Sequence, residues 1–411
     1  IAAAAGLEVE ADPDAAAALG QPVGPVELAD VPVGAVLSAL AEPAGVRWAV
    51  KDSSIYLAHV GNEEPTPAEE GYEDGLRRLL ERAPAHPAAL ATRVTVANLE
   101  LKAGRARAAA LGYKAVLESP GNSPELACAV YNLGLLELRD GSRAGARARF
   151  LEVIDRAPGT RWADLGWYWI GRSHAEGDDP ANARRAFVTA SRSGVKEVSS
   201  AAALAVCALD LLCGDDESAQ TLLQDFKFST REPHALLATL FEALLRYRAG
   251  PTDSRRQRLL EAVARADEGR ALGPVGVYLV GRIYHEAGLP RRMCDLYDAA
   301  SETARGPLAL RMMLDAGERY DRLDRRREAR IRYLAVAAVE AGAVSAAAKL
   351  KLAALEARDG QGAEAVRLCR ALVGRPGADQ TEVFEVMGRG YELQREYGKA
   401  AEAFGRRLPP E

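Results

Sequence analysis

A small residue, an Ala twelve positions later and an aromatic sixteen positions later recur along most of this 411-residue chain, and that recurrence limits the fold more than any other feature of the sequence. In the clearest copy Gly134, with Tyr131 just before it, is followed by Ala146, Phe150 and Pro158. Trp167, Gly171, Ala183, Phe187 and Ala190 repeat the spacing, and Gly281, Tyr284, Tyr297 and Ala300 do so with Met293 in the Ala position. Gly317, Tyr320, Ala329 and Tyr333 fit it again; Phe384, Gly388, Tyr391, Ala400 and Phe404 fit it best. A period of about 36 residues is the signature of stacked helix pairs, so weaker copies are expected near Ala97, Cys207, Leu244 and Ala353. Small residues let two antiparallel helices approach, the aromatic fills space toward the next pair, and Pro158 stops the second helix. One pair cannot bury its own apolar face, so the pairs must stack in series. Turns are expected at Gly104, Asp215-Asp216 and Asp359-Gly360. The copies at Cys207 and Leu244 lack both Gly and aromatics, and irregular stacking is expected there. On this reading Phe404 is a core residue, and Phe404→Ala is expected to cost roughly 3–5 kcal/mol.

These residues resemble the tetratricopeptide repeat over roughly residues 71 to 408. The resemblance implies a mainly α fold, a right-handed α-solenoid of eight or nine helix pairs with a concave and a convex side. In that family the concave face is lined by first-helix residues three before and one after the Gly. Here those positions hold Tyr131 and Leu135, Tyr168 and Arg172, Tyr278 and Arg282, and Glu385 and Arg389. The resemblance therefore implies a groove for an extended peptide or acidic tail, in which Tyr supplies rigid area and Arg pairs carboxylates bidentately. The Lys and Asn of the family's carboxylate clamps are not in place, with Asn132 the one suggestive residue. The alternative reading is that these Tyr pack across the groove.

The first sixty residues read differently. Residues 6–12 alternate apolar and polar as a half-buried strand does, and 26–30 repeat the alternation after a Gly/Pro turn. A helix follows with Val36, Leu37 and Leu40 on one face, then strands at 46–50 and 55–58 joined as a hairpin, giving a small α+β domain of ββαββ order. This segment resembles the short N-terminal domain of secretins and TonB-dependent receptors, lacking that family's first strand and most of its first helix. The resemblance implies a protein-docking module and a periplasmic or cell-envelope setting. Residues 61–70, rich in Glu, Pro and Gly, read as a linker to a solenoid spanning 71–411. Ile1 in place of Met, and an end directly after an apolar helical pattern, are expected of a piece of a longer chain.

Chemistry is sparse. Lys and Arg number 53 against 58 Asp and Glu, a net charge of −5 that argues against a general nucleic-acid binder. No apolar run reaches the ~18 residues of a membrane span; the best, residues 201–209, is cut by Asp210. His285 and Glu286 begin a zinc-protease-like motif that no second His completes, and no phosphate loop or nucleophile elbow is present. Cys207 and Cys213 lie too far apart around one helix for a disulfide, and they read as core residues, as do Cys128, Cys294 and Cys369. Arg322, Arg325, Arg326, Arg327, Arg330 and Arg332 interleave with Asp321, Asp324 and Glu328, which reads as i,i+4 pairing on an exposed helix. The expectation is a scaffold without enzymatic activity, metal or cofactor, whose partners are proteins or peptides such as envelope secretion or export components. The alternative is an intracellular, peptide-sensing regulator that has lost its effector domain.

Overall fold

The computed structural model describes residues 8–11, 46–51, 54–59, 67–84, 86, 88–121, 123–230, 233–303, 306–339 and 342–405, which divide into one compact unit ending at Leu136 and another running from Glu137. In the first unit β1 (Glu8–Ala11), β2 (Val46–Lys51) and β3 (Ser54–His59) form a sheet ordered β1-β3-β2. β1 runs parallel to β3 with Val9 opposite Ile55, and β2 runs antiparallel to it with Trp48 opposite Leu57. The strand expected at 26–30 and the helix after it lie outside the described residues. Helix α1 (Pro67–Arg82) packs on β2 and begins inside the segment read as a linker; Pro is well suited to a first helical turn, where its missing N–H costs nothing. Helices α2 (Ala89–Lys102) and α3 (Ala106–Leu117) form the first antiparallel pair, and α4 (Pro124–Arg139) follows across the unit boundary.

The second unit continues with α5 (Arg143–Arg156), α6 (Arg161–Glu176), α7 (Pro180–Ala190), α8 (Lys196–Cys213), α9 (Asp216–Asp225), α10 (His234–Arg248) and α11 (Asp253–Arg265). A 3₁₀ segment (Asp267–Leu272) leads to α12 (Pro274–Glu286), α13 (Pro290–Thr303), α14 (Pro307–Arg322), α15 (Arg326–Ala337), α16 (Ala343–Arg358), α17 (Gly362–Arg370), α18 (Gln380–Leu393) and α19 (Tyr397–Phe404). Each helix of this unit packs on its successor, with the 3₁₀ segment standing between α11 and α12, so the unit is solenoid-like.

The sequence spacing has a direct physical meaning. A methyl group placed on Gly171 would sit 2.7 Å from the Phe187 ring, on Gly317 2.8 Å from Tyr333, on Gly388 2.5 Å from Phe404, and on Gly281 inside Tyr297. In each pair the residue sixteen positions on brings its ring against the bare Cα of the first helix. Ala97 and Tyr113 repeat the spacing in the first unit, where Tyr113 is fully buried. Ala353 and Cys369 repeat it with smaller partners, both buried.

A second regularity was not read from the sequence. The residue seven after the small position takes a left-handed backbone at Gly104, Gly141, Asp178, Gly214, Gly288, Asp324, Gly360 and Arg395, with φ between 57° and 85°. In all eight turns the next residue's N–H donates to a carbonyl five residues back at 2.8–3.0 Å, as Asp179 does to His174 and Glu396 to Tyr391, closing a Schellman motif. The copy at Leu244 departs from this because Pro251 occupies the position, and its ring holds φ near −65°. The copy at Cys207 keeps the turn, so the irregularity expected for both concentrates at Leu244.

Phe404 is 45% exposed, which corrects its reading as a core residue. It closes the last described pair on one side, and the cost of its truncation falls to about 1–2 kcal/mol. Gly281→Ala is expected to destabilise by about 2 kcal/mol, overpacking against the fully buried Tyr297 outweighing the helix-propensity gain; Gly388→Ala should be near neutral because the Phe404 ring can swing toward solvent. Arg395→Gly should stabilise by about 1 kcal/mol by relieving a left-handed non-glycine residue. Denaturant midpoints of the four variants, Phe404→Ala included, check these expectations.

Candidate functional site

The most continuously apolar helix organises the inside of the second unit. Residues 198–200 and 202–211 of α8 are buried, which is the behaviour of a helix that is hydrophobic all round. It packs on α6, α7, α9, α10 and α12, reaching α12 past the Leu244 copy. Helix α6 in turn meets α12 and α14, which lie three and four repeats further along the chain. The first helices of distant repeats therefore converge on one inner cluster.

At its centre Tyr168 of α6 lies 5.6 Å from the Phe187 ring and 5.9 Å edge-on from Trp169. The Arg172 guanidinium lies 4.6 Å over Trp169, donates to Glu176 at 3.3 Å and rests against the backbone of Gly273. Across the cluster Tyr278 stacks on Tyr297 at 5.7 Å, and the Tyr297 hydroxyl donates to the Tyr278 carbonyl at 2.8 Å. The Tyr278 hydroxyl donates to Asp315 of α14 at 2.9 Å. Burial raises the Asp315 carboxyl above the ordinary carboxylate value, against the opposing pull of that hydrogen bond and of Arg311. Burial and the nearby Asp315 likewise raise the Tyr278 hydroxyl. Arg311 stands 3.7 Å from Asp178 and 4.0 Å from Asp315. Tyr278, Asp178 and Arg311 border a cavity of about 190 Å³ that is also lined by Ala175, Pro180, Leu209, Leu212, Cys213, Val275, Arg282 and Leu308.

The groove residues named from sequence meet different fates. Tyr168, Arg172, Tyr278 and Arg282 come together here, but the two Tyr pack on their own repeat's aromatic and Arg172 is engaged on its own helix. Arg282 and Arg389 are exposed, Arg389 on α18 and outside the cluster. Tyr131 is buried and Leu135 partly buried on α4 in the first unit. Asn132 there donates to Asn98 at 3.0 Å, and Asn98 also accepts the Tyr113 hydroxyl at 2.6 Å, so it serves the packing of the first repeats. Arg311, Asp315 and Leu308 were missed; periodicity carries no signal for contacts made three or four repeats away.

The arginine run is a staple between helices rather than a chain of pairs on one helix. Arg325 pairs with Glu328 at 2.6 Å, but Arg326 reaches Asp359 at 2.9 Å, Arg330 reaches Glu356 and Asp359 at 2.8 and 2.7 Å, and Arg332 reaches Asp298 at 2.6 Å. All five cysteines are free; Cys213 is exposed, which corrects its reading as a core residue, and the other four are buried. Burial pushes the Cys207, Cys294 and Cys369 thiols up to about 12, 11 and 12. Among the described residues no cluster of His, Cys, Asp or Glu could hold a metal ion, and no helix is long and apolar enough to cross a membrane.

The repeat period, the left-handed turns and the ring-on-glycine seats define a tetratricopeptide-like helical repeat protein. No protein-family profile matches the sequence, and no curated protein matches it. Among solved structures the chain is similar to a human IFIT1 dimer with m7Gppp-AAAA, at 14% identity and TM-score 0.47 over 82% of this chain and 86% of that one. It is also similar to a tetratricopeptide repeat protein from Parabacteroides merdae ATCC 43184, at 14% identity and TM-score 0.41 over 59% and 92% of the two chains. An APC/C Cut9–Hcn1 hetero-tetramer gives 12% identity and TM-score 0.40 over 84% and 60%.

Because the Asp315 carboxyl is raised in the folded state, the folded chain holds more protons than the unfolded one between the ordinary carboxyl value and the raised one. Stability attributable to this group is full at acid pH and lost as pH rises through that window. Asp315→Asn, which keeps an acceptor for Tyr278, should therefore gain on the native chain as pH rises above the ordinary carboxyl value, read as the difference in urea midpoints.

Proposed function

We propose that this chain is a non-enzymatic scaffold that holds protein or peptide partners on the inner face of its helix stack. The observation that carries the reading is a pair of exposed cations: Arg282 and Arg389 each follow the small residue of their repeat by one position, with Glu318 and Ala354 at the same position of the two repeats between them. A ligand that reaches both guanidiniums must extend across the repeats between them, which suits a polypeptide segment with separated acidic groups better than a compact solute. Tyr168, Arg172 and Tyr278 stand near Arg282 in the second unit, and Tyr131 with Leu135 holds the same positions of an earlier repeat in the first. The partner class is an envelope secretion or export component, and the location the periplasm or cell envelope. Support for that part is the likeness of the first sixty residues to the secretin and TonB-receptor N-terminal module, with which the β1-β3-β2 sheet is compatible.

The test is capture from an envelope extract with the native chain and with Arg282→Glu combined with Arg389→Glu. Both side chains are exposed, so far-ultraviolet circular dichroism should be unchanged while capture of the same partners falls about tenfold or more. Undiminished capture by the correctly folded double variant would remove the inner face from consideration.

A further inference from the structure

The cavity inside the second unit has a feature that protein docking does not use. Its floor is apolar, built by Leu209 and Leu212 of α8, Val275 of α12 and Leu308 of α14, and its rim carries Arg282 and Arg311. At about 190 Å³ it is close to the ~150 Å³ apolar cavity that accepts benzene in an engineered protein, so it admits one branched or aromatic group. Arg282 makes no hydrogen bond among the described residues. Arg311 has its two carboxylate neighbours at 3.7 and 4.0 Å, beyond hydrogen-bond distance. A guanidinium carries five donors in a fixed fork, so Arg282 brings its donors to the rim unused, and Arg311, paired at long range with Asp178 and Asp315 and interacting with Tyr278, keeps donors to spare. Of the two carboxylates nearby, Asp315 already accepts the Tyr278 hydroxyl at 2.9 Å, and Asp178, which lines the cavity beside Arg311, is open to solvent.

We propose that this cavity binds a small carboxylic acid with a branched or aromatic stem, its stem on the leucine and valine floor and its carboxylate between Arg282 and Arg311. Planar carboxylates match guanidinium forks, and the bond is charge-assisted in a setting shielded on its apolar side. A neutral amide of the same shape keeps the floor contacts and loses that bond. The cavity walls come from α6 and α8 on one side and α12 and α14 on the other, stretches far apart in sequence, so an occupant would tie distant repeats together. Binding to the folded state alone would raise the unfolding midpoint with ligand concentration. Two sources carry this chemistry, a free acid and the C-terminal residue of a polypeptide. The site shares Arg282 with the scaffold reading but not Arg389, and Arg311 and the leucine floor belong to it alone, so the Arg311 and Leu212 variants test it without touching the scaffold reading.

The experiment titrates the whole chain with benzoate and 4-methylpentanoate, with their primary amides, and with a short peptide ending in Leu as the free acid or the amide. Calorimetry and the thermal midpoint are the readouts. The expected result is saturable one-to-one binding of the acids, at least tenfold weaker binding of the amides, and a tenfold or greater loss in Arg311→Gln. Leu212→Trp fills the floor and should abolish binding; Leu212→Phe provides a milder filling if the Trp variant loses its circular dichroism spectrum. Tighter binding of the free-acid peptide than of benzoate would assign the source to a chain end, and the reverse order to a free acid. Equal binding of acids and amides, binding that survives the filled floor in a folded variant, or no saturation by any acid at millimolar concentration overturns the proposal.

Discussion

Everything regular in this structure hangs on an aromatic ring seated against a helix that has no side chain at the point of contact. A ring lying on a bare Cα brings two helix axes closer than any pair of branched side chains allows, and it fixes their rotation, because the ring must face the glycine. The turn between the helices then has a set job: to reverse the chain within a few residues so that the ring sixteen positions on arrives at that spot. A left-handed residue seven after the small position does this in eight of the nine copies, and the Schellman bond beside it satisfies the carbonyl that the reversal would orphan. Spacing, turn and seat are one constraint expressed three times.

That is why the pairing was legible in the sequence while other features were not. Gly171 and Phe187, Gly281 and Tyr297, and Gly317 and Tyr333 could be matched by counting, since a local geometric requirement leaves a fixed number of residues between its partners. The Tyr at the third position before the Gly could not be placed by counting, because the same register serves an open groove or a stacking partner. In Tyr168 and Tyr278 it serves the latter, each ring lying against its own repeat's seated aromatic. The approach of α6 to α12 and α14 is further out of reach: it sums small rotations over several repeats, and one Pro251 in place of a left-handed residue changes that sum. The apolar run at 201–209 was visible as an anomaly, and its cause, a helix buried on every side, appears only once the distant repeats have converged on it.

Charge does a different job. Arg184 on α7 grips Asp210 on α8 through two bonds of 2.7 and 3.1 Å, and Arg330 on α15 grips Glu356 on α16 through two of 2.8 and 3.1 Å. In both cases the arginine stands thirteen after its repeat's small residue and the acid three after the next one's. Both carboxylates are largely buried, so each pair gains little net stability over an apolar contact, yet breaking one leaves a buried charge at a cost of about 3–5 kcal/mol. The asymmetry favours one register of stacking over its neighbours without making the correct register much more stable than apolar packing would.

The convergence on α8 alters what such an array can bind. In an open stack the inner face is a continuous trough, and each repeat adds a similar increment of contact to an extended ligand. Here the trough narrows where α6 meets α12 and α14, and Tyr168, Trp169 and Arg172 satisfy one another there. A polypeptide following the inner face must therefore find its purchase on the residues that the closure leaves exposed, Arg282 at its edge and Arg389 beyond it. The space enclosed by the closure is too small for a chain and large enough for a single side group. The same convergence that covers part of the inner face thus encloses a cavity with Arg282 and Arg311 among its lining, so the two proposed modes of recognition meet at Arg282.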